Sequence, residues 1–350
     1  MDGHGEKTDL ALLGALCLFL AALDHVIPKP LPFMRIGLAN LPLLLALGFF
    51  SVKNFFLLAF IKVIGQALIT GTFFSYVIIF SFGGTALSAV TMLLLRRWTS
   101  LVGTSIAGAF VSNAAQLILA RFMLFGDGIL YLAPPFLIAG IISGGLLGLF
   151  AMNFTARSEW LKRKKENNND SSVSSLNIRE LRGKKQSKYL WNIVLIILVA
   201  VFLLVPQLPF RAALFLLFWL MAIVAKRKTR PLFTMFSIVM ITFCNLFPPF
   251  GKILFQTGPF IVAEGSLLLG LQRALTMSGL IMFSRLALLS VPHLPGKFGA
   301  LLQECFGILE KMNSVFFGGG KKALGRTTEK MSGGLIKKLD RLLCEVSGIM

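Results

Sequence analysis

Polar side chains inside long apolar runs are the residues of this sequence that could do more than fold. Moving an amide, a hydroxyl or an ammonium into hydrocarbon is costly unless it finds a partner, so such residues either bind something or join helices. Asn40, Gln66, Thr70, Thr72, Ser75, Ser105, Ser112, Asn113 and Gln116 lie in such runs, together with Lys62. Among them Asn40, Gln66, Thr72, Ser105, Asn113 and Gln116 are candidate binding residues, able to line a cavity for a small polar molecule. Arg35, at the mouth of a run, could hold an anionic group through its guanidinium. The competing reading is that the amides join helices and Arg35 reaches out to lipid headgroups. Further along, Glu264 stands at the start of a run, where an acid complements the helix dipole. Arg273 and Arg285 read as internal ion pairs or a subunit contact.

Bond-making chemistry has less support. The chain has 15 acidic residues but no DDxxD cluster of the kind that holds magnesium and a diphosphate. It has no GxxxxGK[ST] phosphate loop, no GxSxG and no HExxH. His4, His25 and His293 fall at the edges of runs, and Cys17, Cys244, Cys305 and Cys344 show neither CxxC spacing nor a nearby histidine. The expectation is a protein without catalytic residues, metal ligands or a cofactor.

The elements that must position the polar residues follow from composition. Of 350 residues 56% are hydrophobic and 14% charged, against about 25% charged in a soluble domain. Backbone in hydrocarbon must satisfy its own hydrogen bonds, so long apolar runs become helices, and the alternating strands of a barrel are not seen. Spans are expected near 10–26, 36–50, 55–70, 73–95, 101–120 and 130–150, and then near 190–205, 210–224, 232–247 and 267–291. The opening run resembles a signal peptide, but Asp24-His25 follows where a small-x-small cleavage site is needed, so an uncleaved first span is expected. The result is an all-α polytopic membrane protein with six spans, a basic linker and about four more. The expected divisions are a membrane domain over 1–154, a flexible cytoplasmic linker over 155–189 and a second membrane domain over 190–291. Residues 248–265 interrupt the pattern as a loop or re-entrant segment, and 292–350 form a basic tail of amphipathic surface helices.

The formal net charge of +20 points away from nucleic acid, because the basic runs flank the spans. With the linker inside, Lys53, Arg96, Arg97, the run 226–228, the basic tail and both termini all fall on the cytoplasmic side, and the Pro28–Pro32 turn falls outside. This predicts a multi-pass protein of the cytoplasmic (inner) membrane with membrane lipids around it. Ala11 with Ala15, and Gly140, Gly144 and Gly148, recur every four residues; such stripes let helices approach closely, either within the bundle or at a docking face.

Several motifs carry a family likeness: 30–40 (Pro-Leu-Pro-Phe-Met-Arg-Ile-Gly-Leu-Ala-Asn), Gly71-Thr72-Phe73, Ser81-Phe82-Gly83-Gly84, and 103–109 with Asn113 and Gln116. Over about 10–153 this set resembles the Gx transporter family, often labelled heptaprenyl diphosphate synthase component I. That family is similar to the six-helix substrate-binding (S) components of energy-coupling-factor (ECF) vitamin transporters. One departure is Ser112, where a histidine is expected. Over about 190–291 the chain resembles the transmembrane (T) subunit of the same transporters, through 250–255, 258–260, Glu264-Gly265, 270–274 and Ser284-Arg285. The resemblance implies uptake of a small nutrient as substrate, Ala11 and Ala15 as a docking stripe, and ATPase subunits as partners. The family label implies an alternative: a non-catalytic membrane component of isoprenoid or quinone synthesis.

Overall fold

The structure, a computed structural model, describes residues 5–26, 37–166, 189–204, 207–225, 231–257, 260–288, 296–318 and 331–347. It is an all-α polytopic membrane protein apart from one short hairpin. Among the described residues, six helical stretches are long and apolar enough to cross a bilayer. They are α1 (Gly5–Val26), α3 (Val52–Thr70), α4 (Tyr76–Leu95), α5 (Leu101–Ala120) with its continuation to Tyr131, α6 (Ala133–Arg157) and α11 (Glu264–Ala287). Shorter apolar helices α8 (Tyr189–Leu204), α9 (Leu208–Val224) and α10 (Pro231–Asn245) accompany α11.

Local chemistry sets the helix ends. Ser51, Ser75 and Ser100 cap α3, α4 and α5, each accepting a hydrogen bond from a backbone N–H of the first turn. Gly71, left-handed at φ 68°, closes α3.

The second expected span departs from a regular helix over 36–50. Gly37 is left-handed at φ 91°, one 3-10 turn follows (Leu38–Asn40), and α2 is six residues long (Leu41–Ala46), all of them buried. Ideal Cβ positions at Gly14 and Gly65 fall against Ile61 and Leu18. Position along α1 therefore rises with position along α3, and the two helices run parallel. The chain must return between them, and residues 37–50 make that return as a broken, enclosed segment. Gly37, Pro42 and Gly48 prevent a continuous helix, and residues 41–47 between them are buried.

Residues 248–265 hold a two-stranded antiparallel hairpin, β1 (Ile253–Thr257) with β2 (Phe260–Ala263), between α10 and α11. The tail also departs from expectation. Helix α12 (Gly296–Gly318) turns Leu302, Cys305, Ile308, Leu309 and Met312 inward, into the same core as α1. Ala11 and Ala15 are fully buried there, and an ideal Cβ on Gly14 would stand 2.7 Å from Cys305 Sγ. The flat strip on α1 lets the tail helix lie close, so its apolar stripe covers protein instead of lipid. Burial pushes the Cys305 thiol well above the ordinary range, with Glu304 and Cys17 acting in the same direction.

Structure also enters the start of the linker; residues 167–188 lie outside the described residues. Helix α7 (Glu159–Glu166) is capped by Asp340 of α13 (Met331–Ser347), whose carboxylate accepts from the backbone N–H groups of Glu159 (3.0 Å) and Trp160 (3.2 Å) and from the Ser158 hydroxyl. Trp160 is buried beside this contact. Asp340→Ala removes three accepted hydrogen bonds and leaves buried donors unmet, an expected cost of about 1–3 kcal/mol. Hydrogen exchange should then quicken at residues 159–161 and along α13; unchanged protection in both would show that apolar packing alone holds the tail.

Few contacts are expected between halves joined by a flexible linker, and here the structure differs. Leu124, Phe125 and Ile129 share a core with Ile241, Cys244, Ala274 and Met277. The Asn245 amide donates to the Leu124 carbonyl at 2.8 Å, and the Phe74 N–H donates to Ser284 Oγ at 3.0 Å.

Candidate functional site

Within the first half, the helices enclose a polar cavity of about 30 Å³. That is room for about two water molecules. Asp24 comes from α1, Asn40 from the 3-10 turn, Lys62 and Gln66 from α3, Ser81 and Thr85 from α4, Ser112, Asn113 and Gln116 from α5, and Ser143 from α6. Five helices and the broken return segment therefore meet at one point. Asp24 is 1% exposed and Lys62 6%, deep within a bundle whose surroundings are apolar. The Lys62 ammonium donates to Asn40 Oδ1 and, at 3.4 Å, to Thr85 Oγ1.

Two glycines make room for the amides. An ideal Cβ on Gly140 would fall 2.3 Å from Asn113 Nδ2, and one on Gly84 would fall 2.8 Å from Gln116 Nε2. The Asn113 amide donates to the Phe136 carbonyl at 3.2 Å, and the Gln116 amide donates to Ser112 Oγ at 3.1 Å. Asn113 thus does both things that the sequence left open: it joins α5 to α6 and faces the cavity.

The cavity has a defined depth. Asp24 is two residues from the end of α1, Gln66 four from the end of α3 and Gln116 four from the end of α5. It lies nearer the bundle end that carries the Gly71–Ser75 turn. Lys53, Arg96 and Arg97 mark the opposite end.

Of the candidate binding residues, Asn40, Gln66, Asn113 and Gln116 line the cavity. Thr72 does not appear in its lining; its hydroxyl is 2.8 Å from that of Thr70, beyond the end of α3. Ser105 is turned away as well, donating to the Gly144 carbonyl at 2.7 Å and tying α5 to α6. Arg35 lies outside the described residues. Asp24, Ser81, Thr85 and Ser143 were not singled out by the sequence as binding residues. Asp24 carried a usable signal: an acid closing an apolar run, with Lys62 the one cation inside a neighbouring run.

The small-residue stripes both face protein. Ala11 and Ala15 are buried in the core that α12 shares. Gly144 and Gly148 pack on α5, where ideal Cβ atoms would lie 3.1 Å from Ile106 Cα and 2.7 Å from Val102 Cα. In the second half, Arg273 forms no ion pair among the described residues: its Nη1 donates to Asn245 Oδ1 at 2.8 Å. Arg285 lies with its stem against Gly71, across the junction of the halves. Glu264 begins α11, and its N–H donates to the Lys252 carbonyl.

These features define a multi-pass α-helical membrane protein with a polar cavity in its N-terminal bundle. Residues 13–154 match a family model described as heptaprenyl diphosphate synthase component I, and that stretch contains all the cavity-lining side chains named above. Residues 187–290 match the model of a domain of unknown function. No curated protein and no solved structure matches the chain.

Proposed function

We propose that this is a membrane transport protein that takes up a small polar solute, held in the cavity of the first half. The observation that carries this reading is the cavity itself: a cluster of polar groups with a buried acid and a buried lysine, enclosed by a lipid-facing bundle. Groups of this kind are expensive inside a membrane, and solute and ion pathways are where they concentrate. Arg96, Arg97 and Lys53 at the far end assign that end to the cytoplasm by the positive-inside rule, so the cavity opens outward and both termini are cytoplasmic. At about 30 Å³ the cavity is small, and admitting a solute larger than a few waters requires the lining helices to part. The likeness of the halves to S and T components supports the same reading, with ATPase subunits of the ECF type as partners and no bond-making step in the chain itself.

Mass spectrometry of the full chain purified in mild detergent tests this. A small molecule should be released on denaturation, and Thr85→Val should lower its occupancy at least tenfold. The change removes one hydroxyl from the lining, and with it one acceptor of the Lys62 ammonium, so melting without ligand is measured alongside, with an expected cost of about 1–3 kcal/mol. Equal occupancy in the variant would move the site elsewhere.

A second reading rests on the matched family's description: a membrane component of prenyl diphosphate synthesis. Altered prenyl chain length in a deletion strain, with solute uptake unchanged, would favour it over transport.

A further inference from the structure

Arg273 is a charge set inside a span. It lies about 14 Å along α11, whose other charged residues, Glu264 and Arg285, fall in the first and last turns. Its Nη1 donates to Asn245 Oδ1 at 2.8 Å. That acceptor is fixed: Asn245 is 5% exposed, and its amide nitrogen donates at 2.8 Å to the carbonyls of Leu124 and of Ile241. Gly126 lies close by, where an ideal Cβ would stand 3.5 Å from Nη1. Its backbone, at φ 58° and ψ −154°, takes a conformation that belongs to glycine. A fixed amide and a bare stretch of backbone therefore hold the guanidinium at the junction of the two halves.

Among the described residues no carboxylate pairs with Arg273. Asp127, next in the chain to Gly126, is taken by Arg121 at 2.6 Å. Outside the described residues the acids are Asp2, Asp170, Glu180 and Glu329, in the N-terminus, the linker and the tail, and the stretches 27–36, 205–206 and 258–259 have none. The carboxyl end of α10 offsets roughly half a charge. One of five N–H groups is met within the described residues. A cation left in this way inside a span is costly, and such residues mark binding sites and pathways. A snorkelling arginine would turn its head out to water, whereas the bond to Asn245 keeps this one at the junction. The remaining N–H groups form a planar fork, whose complement is a group with two anionic oxygens.

We infer that Arg273 is an anion site at the junction of the halves, taking a phosphate group that is free in solution or carried by a lipid headgroup.

The full chain in neutral detergent is titrated with inorganic phosphate and, separately, with dihexanoylphosphatidylglycerol, and thermal unfolding is followed. Phosphate also stabilises proteins by exclusion from their surface, so the readout is the difference between the native chain and Arg273→Gln, whose side chain keeps an N–H for Asn245. The native chain should gain Tm with an apparent Kd at least tenfold below that of Arg273→Gln, and Arg273→Lys should fall between them. A response to phosphate assigns a soluble anion to the site, and a response to the lipid without one to phosphate assigns a headgroup. In the native chain the effective ligand should also slow hydrogen exchange over 124–126 and 241–245 and leave 55–65 unchanged, a measurement that needs no variant. No response to either ligand, equal stabilisation of the native chain and Arg273→Gln, or no local slowing of exchange overturns the site.

Discussion

Gly128→Ala is expected to lower the stability of the intact chain by about 3 kcal/mol, the upper end of overpacking costs. The new Cβ would fall 1.8 Å from the Cys244 carbonyl oxygen. Both partners in this clash are backbone-fixed, so no side chain can swing away. The site lies where the two halves meet: Gly128 sits in the 3-10 turn after α5, and Cys244 sits in the last turn of α10. Relief would need α10 to move off the first half, which would strain the Asn245 bond to the Leu124 carbonyl and the Arg273 bond to Asn245. Gly145→Ala is the control, because its Cβ would meet Ile106 at an ordinary 3.8 Å. Thermal unfolding in detergent should show a large drop in Tm for Gly128→Ala and little for Gly145→Ala. Matching Tm values for the two would mean that the halves are not in contact there.

The second large effect concerns Asp24 and Lys62. Asp24 and Lys62 are both buried and line one cavity, and where two such charges compensate each other, removing one costs about 3–5 kcal/mol. Lys62→Met also leaves Asn40 Oδ1 without the ammonium that donates to it. We expect Lys62→Met and Asp24→Asn each to destabilise the unliganded chain by that order. The double variant should recover much of the loss, because neither charge is then left without the other. A double-mutant cycle on thermal stability reads the coupling directly. Additive losses would show that the two side chains do not sense each other across the cavity.

The membrane class and most of the helices were legible from the chain alone. Lipid offers no partner to a backbone N–H or C=O, so each apolar run had to close its own hydrogen bonds as a helix. The helix ends were less legible: Ser75 reads as a polar residue inside a run, yet it caps α4, as Ser51 and Ser100 cap α3 and α5. Polar residues inside runs were conspicuous, and six of them, Asn40, Lys62, Gln66, Ser112, Asn113 and Gln116, do line the cavity. Thr72 and Ser105 looked the same in the sequence, yet their hydroxyls turn to neighbouring groups. Which way a side chain points depends on helix rotation, and helix rotation is set by packing that one chain's residue types do not state.

Partnership between distant elements was also invisible. The parallel course of α1 and α3, the broken return through residues 37–50, the seating of α12 on the Ala11–Ala15 strip and the clasp of Asp340 on α7 all join residues far apart in the chain. The sequence by itself determined that the chain is helical and membrane-embedded, because hydrophobicity and backbone hydrogen bonding act locally along each run. Tertiary structure alone decided that Asp24 and Lys62 face one cavity and that the two halves share a core, because those outcomes depend on which helix faces meet.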